Sequence, residues 1–130
     1  MKLLLDTHDV LALLKQGDAL LPRALTDAIA APDSELSVSC ASLWEIAIKV
    51  RSGKLEIGIA LDKLPDACTA FGAGIVAIQP THVLAELSPL PATRDPFDRL
   101  LLAQAQCEGM RLVTIDNALK DHLHAWQPAT

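Results

Sequence analysis

Two short apolar runs at opposite ends of the chain each finish on an aspartate. Lys2-Leu3-Leu4-Leu5 delivers Asp6, and Leu112-Val113-Thr114-Ile115 delivers Asp116. Runs of this length read as buried strands. Helical and extended patterns alternate between them, which predicts an α/β fold: a three-layer α/β/α sandwich around a central parallel sheet of about four or five strands, in one domain over 1–130. In open sheets of this kind ligands gather beyond the carboxyl ends of strands, where both acids stand. Local rules offer each a plainer role. Asp6 caps the helix that follows it, and Asp116 with Asn117 caps a helix over 118–123.

The intervening pattern predicts helices over 10–15, stopping near Gly17, and over 22–31, with Pro22 in the first turn. Residues 36–39 alternate as a strand. The period then changes at Ser42, and Leu43, Ile46, Ala47 and Val50 form an apolar stripe on a helix ended by Gly53. Residues 55–57 extend briefly, 61–71 form a helix closed by Gly72, 74–78 form a strand, and 82–87 a short helix with His82 on its surface. A proline-rich connection over 88–94 leads into the longest helix, with Asp95 as N-cap, Pro96 in its first position and Gly109 as its stop.

A 51% hydrophobic composition in 130 residues supplies a substantial core and argues against disorder. The N-terminal apolar run is too short for a signal peptide and no later run approaches a membrane span, so a cytoplasmic protein without membrane contact is expected. Cys40, Cys68 and Cys107 are odd in number and widely spaced, as reduced packing residues are. The net charge of −5 opposes nucleic-acid binding through a bulk positive field. With four of the sixteen acids committed to metal, however, twelve face eleven bases, and local patches then decide. Lys49, Arg51 and Lys54 make one such patch, and Arg94 with Arg99 another. If a nucleic acid is bound, aromatics at 3% favour recognition of its shape and phosphates over base stacking.

Two further acids stand near helix starts. Glu45 lies off the apolar stripe, and Ser42 with Glu45 has capping-box spacing, while Glu45 with Lys49 makes a favourable i, i+4 pair. Asp98 shares a face with Leu101, Leu102 and Ala105, so its carboxylate needs a partner, either Arg94 and Arg99 or a metal ion. The fold can bring Asp6, Glu45, Asp98 and Asp116 to one edge. Four carboxylates within a few Å repel by several kcal/mol at an effective dielectric of about 20. Mg²⁺ or Mn²⁺, hard cations that take oxygen ligands, relieve that repulsion.

The segments Leu4-Leu5-Asp6-Thr7-His8, Ser42-Leu43-Trp44-Glu45-Ile46-Ala47-Ile48-Lys49 with Gly53-Lys54-Leu55, Arg94-Asp95-Pro96-Phe97-Asp98-Arg99-Leu100-Leu101 and Leu112-Val113-Thr114-Ile115-Asp116, in this order, resemble the PIN domain family in its VapC-type toxin branch. The resemblance implies a metal-dependent endoribonuclease, the toxin of a toxin/antitoxin pair, commonly dimeric and restrained by a cognate antitoxin. Its catalytic acids are Asp6, Glu45, Asp98 and Asp116. Asp6, Asp98 and Asp116 hold one or two Mg²⁺ or Mn²⁺ ions, Glu45 completes the site, and Thr7 and Thr114 orient carboxylates or water. Two positions depart from the pattern: Ile115 stands where a small or basic residue is more usual, and Thr93-Arg94 begins where His is frequent. Two other readings compete, a catalytically silent PIN-like module that only binds a partner, and a phosphoryl-accepting signalling domain using Asp6. Against the latter, His8 stands where an Asp-x-Asp opening places its second acid.

Overall fold

The computed structural model describes residues 1–16 and 21–128; the expected helix stop at Gly17 falls outside them. Four strands, β1 (Lys2–Leu5), β2 (Glu35–Ser39), β3 (Ala73–Val76) and β4 (Arg111–Val113), form one sheet in the order β3-β2-β1-β4. All pairings are parallel, with Leu5 opposite Val38 on one side and Val113 on the other. Six helices connect them: α1 (Thr7–Gln16), α2 (Arg23–Ala30), α3 (Cys40–Arg51), α4 (Leu64–Ala70), α5 (Pro80–Leu84) and α6 (Pro96–Glu108). Among the described residues, then, the sheet has four strands, and no helix is long and apolar enough to cross a membrane.

The strand alternation of β1 separates two cores. Leu3 and Leu5 point to one face with Val38, Val113 and residues of α1, α2, α3 and α4; Leu4 points to the other with Leu112, Leu101, Leu102 and Ala105. This makes three layers. The chain runs outward from β1 through β2 to β3 and then places β4 on the opposite side of β1. The order therefore reverses between β1 and β4, and a crevice opens beyond their carboxyl ends.

Several expectations are corrected. The helix over 118–123 is absent: Asp116 caps only a turn, its Oδ1 accepting from Ala118 N at 2.8 Å and its carbonyl from Leu119 and Lys120. The chain then turns back to pair along the edge of β4, where Leu112 N donates to His124 O and Trp126 N to Leu112 O. That covers a sheet edge that a helix there would leave open. The capping box of Ser42 and Glu45 is also absent. Helix α3 begins three residues earlier than that box requires, with Ser39 as N-cap accepting from Ala41 N at 2.9 Å, and Ser42 is buried inside it. Residues 55–57 form no strand; Leu55 and Ile57 pack against the core from a loop. His82 is buried rather than superficial, because α5 starts at Pro80 and turns the imidazole inward to meet Glu108 Oε1 at 2.8 Å and Gln79 N at 2.9 Å. The three cysteines are free, although Cys107 is exposed.

Candidate active site

At the reversal between β1 and β4 lies a cleft of about 450 Å³, lined by residues that include Asp6, Thr7, Glu45, Lys49, Asp95, Asp98 and Asp116. Four separate elements of the chain bring the four expected acids to one place. Asp6 follows β1 directly: its N–H extends the ladder to Val113 O at 3.1 Å, while its Oδ1 accepts from Asp9 N at 2.8 Å and so caps α1. Capping and cleft lining are thus done by one carboxylate. Asp116 arrives three residues after β4, its N–H donating to Thr114 Oγ1 at 3.0 Å. Glu45 is presented from the second turn of α3, with Lys49 Nζ 3.3 Å from its Oε2. Asp98 comes from the first turn of α6, capped by Asp95 Oδ1 at 3.0 Å, and its Oδ2 accepts from Thr93 Oγ1 at 3.2 Å.

The electrostatics are those of crowded acids. Burial, then Asp95, Asp116 and Glu45, push Asp98 up to about 6 against the pull of the Thr93 hydroxyl. Asp6 is raised by burial, an effect opposed by hydrogen bonds from Thr114 and Asp9. No arginine relieves Asp98: Arg99 spends its Nε on Thr93 O at 2.8 Å, and among the described residues neither Arg94 nor Arg99 forms an ion pair with it. Of the two partners open to Asp98, the arginines are therefore not used.

The PIN domain family matches residues 3–122. The chain belongs to the PIN domain family. A crystal structure of VapBC2 from Rickettsia felis bound to a DNA fragment from their promoter is similar to it in fold, with a TM-score of 0.61 and 16% identity over 96% of each chain. Among curated proteins none matches.

The donor set of this PIN domain fits a hard divalent cation: carboxylates and hydroxyls, with buried oxygens left over. Asp9 carries the clearest sign. It is fully buried, its Oδ1 stands 3.7 Å from His8 Nδ1, and neither of its carboxyl oxygens has a hydrogen-bond partner among the described residues. Burial first, and the neighbouring Asp6 second, push it up to about 9, so at neutral pH it keeps its proton. Asp6, His8 and Asp9 bring ligand atoms within 4.8 Å of one another, the only group of three to do so among the described residues. The four expected acids share the cleft, but among the described residues no three of them bring ligand atoms within 4.8 Å of one another.

Sequence reasoning passed over Asp9. The signal was there: an acid three residues beyond Asp6, followed by Val10-Leu11-Ala12-Leu13-Leu14, sits on a helix with little polar surface to receive it. Asp95 was legible as a cap, which it is, but it also lines the cleft. Thr7 donates to Ser42 Oγ at 3.1 Å and ties α1 to α3 rather than touching an acid. Lys49 lines the cleft; Arg51 borders a groove between α3 and α4; Lys54 and Arg94 are exposed, and Arg99 is held by the loop before α6.

Proposed function

We propose that this PIN domain is a metal-dependent endoribonuclease, the VapC-type toxin of a toxin/antitoxin pair. The observation that carries this reading is the convergence of Asp6, Glu45, Asp98 and Asp116 on one cleft at the reversal of strand order. Asp6, Asp98 and Asp116 are the residues to hold one or two Mg²⁺ or Mn²⁺ ions. A bound ion supplies a water activated for attack and charge to offset the phosphate. Glu45, steadied by Lys49, completes the acid wall. Thr114 fixes Asp6 and Asp116 together through its hydroxyl, and Thr93 fixes Asp98. Lys49, Arg51, Lys54, Arg94 and Arg99 are the cations available to RNA phosphates. A cognate antitoxin restrains the toxin, which works as a cytoplasmic homodimer; the similar fold in VapBC2 supports the antitoxin partner.

The test is RNA cleavage by the full chain freed of any partner. Cleavage with Mg²⁺ or Mn²⁺ that stops on adding a chelator supports the proposal. Intact RNA with both cations overturns it.

A further inference from the structure

Aromatic residues are scarce here, two Phe, two Trp and no Tyr, so the place of each is informative. Phe71 and Trp126 pack against the larger core. Trp44 and Phe97 instead meet each other edge to face, ring centroids 5.4 Å apart and planes at 65°, while Trp44 stays 57% exposed. Trp44 immediately precedes Glu45 on α3, and Phe97 immediately precedes Asp98 on α6, and both acids line the cleft. The ring contact therefore joins the two helices beside the candidate site and holds the indole in one orientation. Ile48, one turn further along α3, extends the apolar surface. Cations flank it: Lys49, paired with Glu45, lines the cleft, and Arg51 shares with Trp44 the groove against α4, which Asp62 also lines.

An open indole braced by a second ring, with cations beside it and phosphate-handling acids next door, has the parts of a base-stacking shelf. The ring takes the face of any unpaired base, and the cations take the adjoining phosphates. We infer that Trp44 stacks on an unpaired nucleobase next to the scissile phosphate. This inference rests on the nuclease reading and departs from the expectation that so few aromatics leave recognition to shape and phosphates.

The experiment measures kcat/KM with Mg²⁺ on an unstructured RNA and on copies carrying one abasic residue at successive positions around the cut. With the unaltered protein, one abasic position should lower kcat/KM roughly 10-fold, the range of one base–aromatic stack. Trp44→Ala and the bulky, non-aromatic Trp44→Leu should show that loss on intact RNA and no further loss on the abasic copy, and Trp44→Phe should keep most of the activity. Thermal denaturation of each variant separates folding from binding. The inference is overturned if the abasic penalty persists undiminished in Trp44→Ala, or if Trp44→Ala and Trp44→Leu cleave intact RNA normally and lose only binding to a protein partner. Absence of metal-dependent cleavage by the unaltered protein is a different result: it removes the nuclease reading, and this inference with it.

Discussion

Two buried polar clusters in this molecule are built on opposite principles. Around His82 the groups complete one another: Nδ1 accepts from Gln79 N, Nε2 meets Glu108 Oε1, and Gln104 Nε2 donates to Ala77 O, leaving only the neutral Gln104 Oε1 without a partner. Around Asp6 the groups oppose one another. Asp9 is fully buried and, among the described residues, neither of its carboxyl oxygens has a hydrogen bond, while Asp98 is pushed up by burial and by three other acids. A completed cluster serves the fold. One left uncompleted, with crowded acids at the mouth of a crevice, is the kind of cluster in which a binding site is sought.

The contrast is sharpened most by removing charge from the cleft. Asp6→Asn and Asp98→Asn should each cut RNA cleavage by roughly 10³-fold or more while circular dichroism and the thermal transition stay close to the parent's. Cleavage assays with matched protein amounts check this, and undiminished cleavage in both variants breaks the distinction. His82→Ala should do the reverse. It should cost about 2–4 kcal/mol in urea denaturation, from a cavity and stranded hydrogen-bond partners, with cleavage per folded molecule unchanged.

The buried acids also set a sign for pH. Folded-state values raised to about 9 for Asp9 and about 6 for Asp98 mean that the native chain holds protons that the unfolded chain has already released. Stability of the metal-free protein should therefore fall as pH rises from about 4 through 6 and on towards 9. Asp9→Val should flatten the upper part of that fall and raise stability at pH 8 by about 1–3 kcal/mol, since an unpartnered buried carboxyl is gone. Thermal denaturation from pH 5 to 9 reads both effects; a loss of stability at pH 8 would show that Asp9 is satisfied after all. The smallest effect belongs to the Glu45–Lys49 pair. Lys49→Ala should change stability by only about 0.3–0.5 kcal/mol, as for an ordinary i, i+4 pair, and its larger consequence should appear in KM for RNA.

Much of this was legible in the chain because periodicity reports burial. The strands over β1, β2, β3 and β4 and the long helix α6 follow from apolar pattern, caps and glycine stops, and Asp95 and Gly109 bound α6 as expected. Asp6 was visible as a strand-end residue, since strand and acid are contiguous; β4 stops at Val113, so Asp116 lies three residues past its strand rather than directly at its end. What pattern does not carry is the third dimension. His82 looks like an ordinary first-turn residue until α6 supplies Glu108, 26 positions away. Ser42 looks like a cap until Thr7 crosses from α1 to meet it. The segment after Asp116 has cap-like residues, but the sheet edge draws it back before a helix can grow. Trp44 and Phe97, 53 positions apart, stand in two separate motifs, and nothing in either shows that their rings meet.

We expect a divalent cation to complete the acid cleft, and calorimetric titration of the metal-free protein with Mn²⁺ checks this expectation. Uptake should be measurable at pH 7.5, weaken as pH falls through about 6, where Asp98 takes up its proton, and be lost in Asp98→Asn. No uptake at pH 7.5, or uptake untouched by Asp6→Asn and Asp98→Asn, would contradict it.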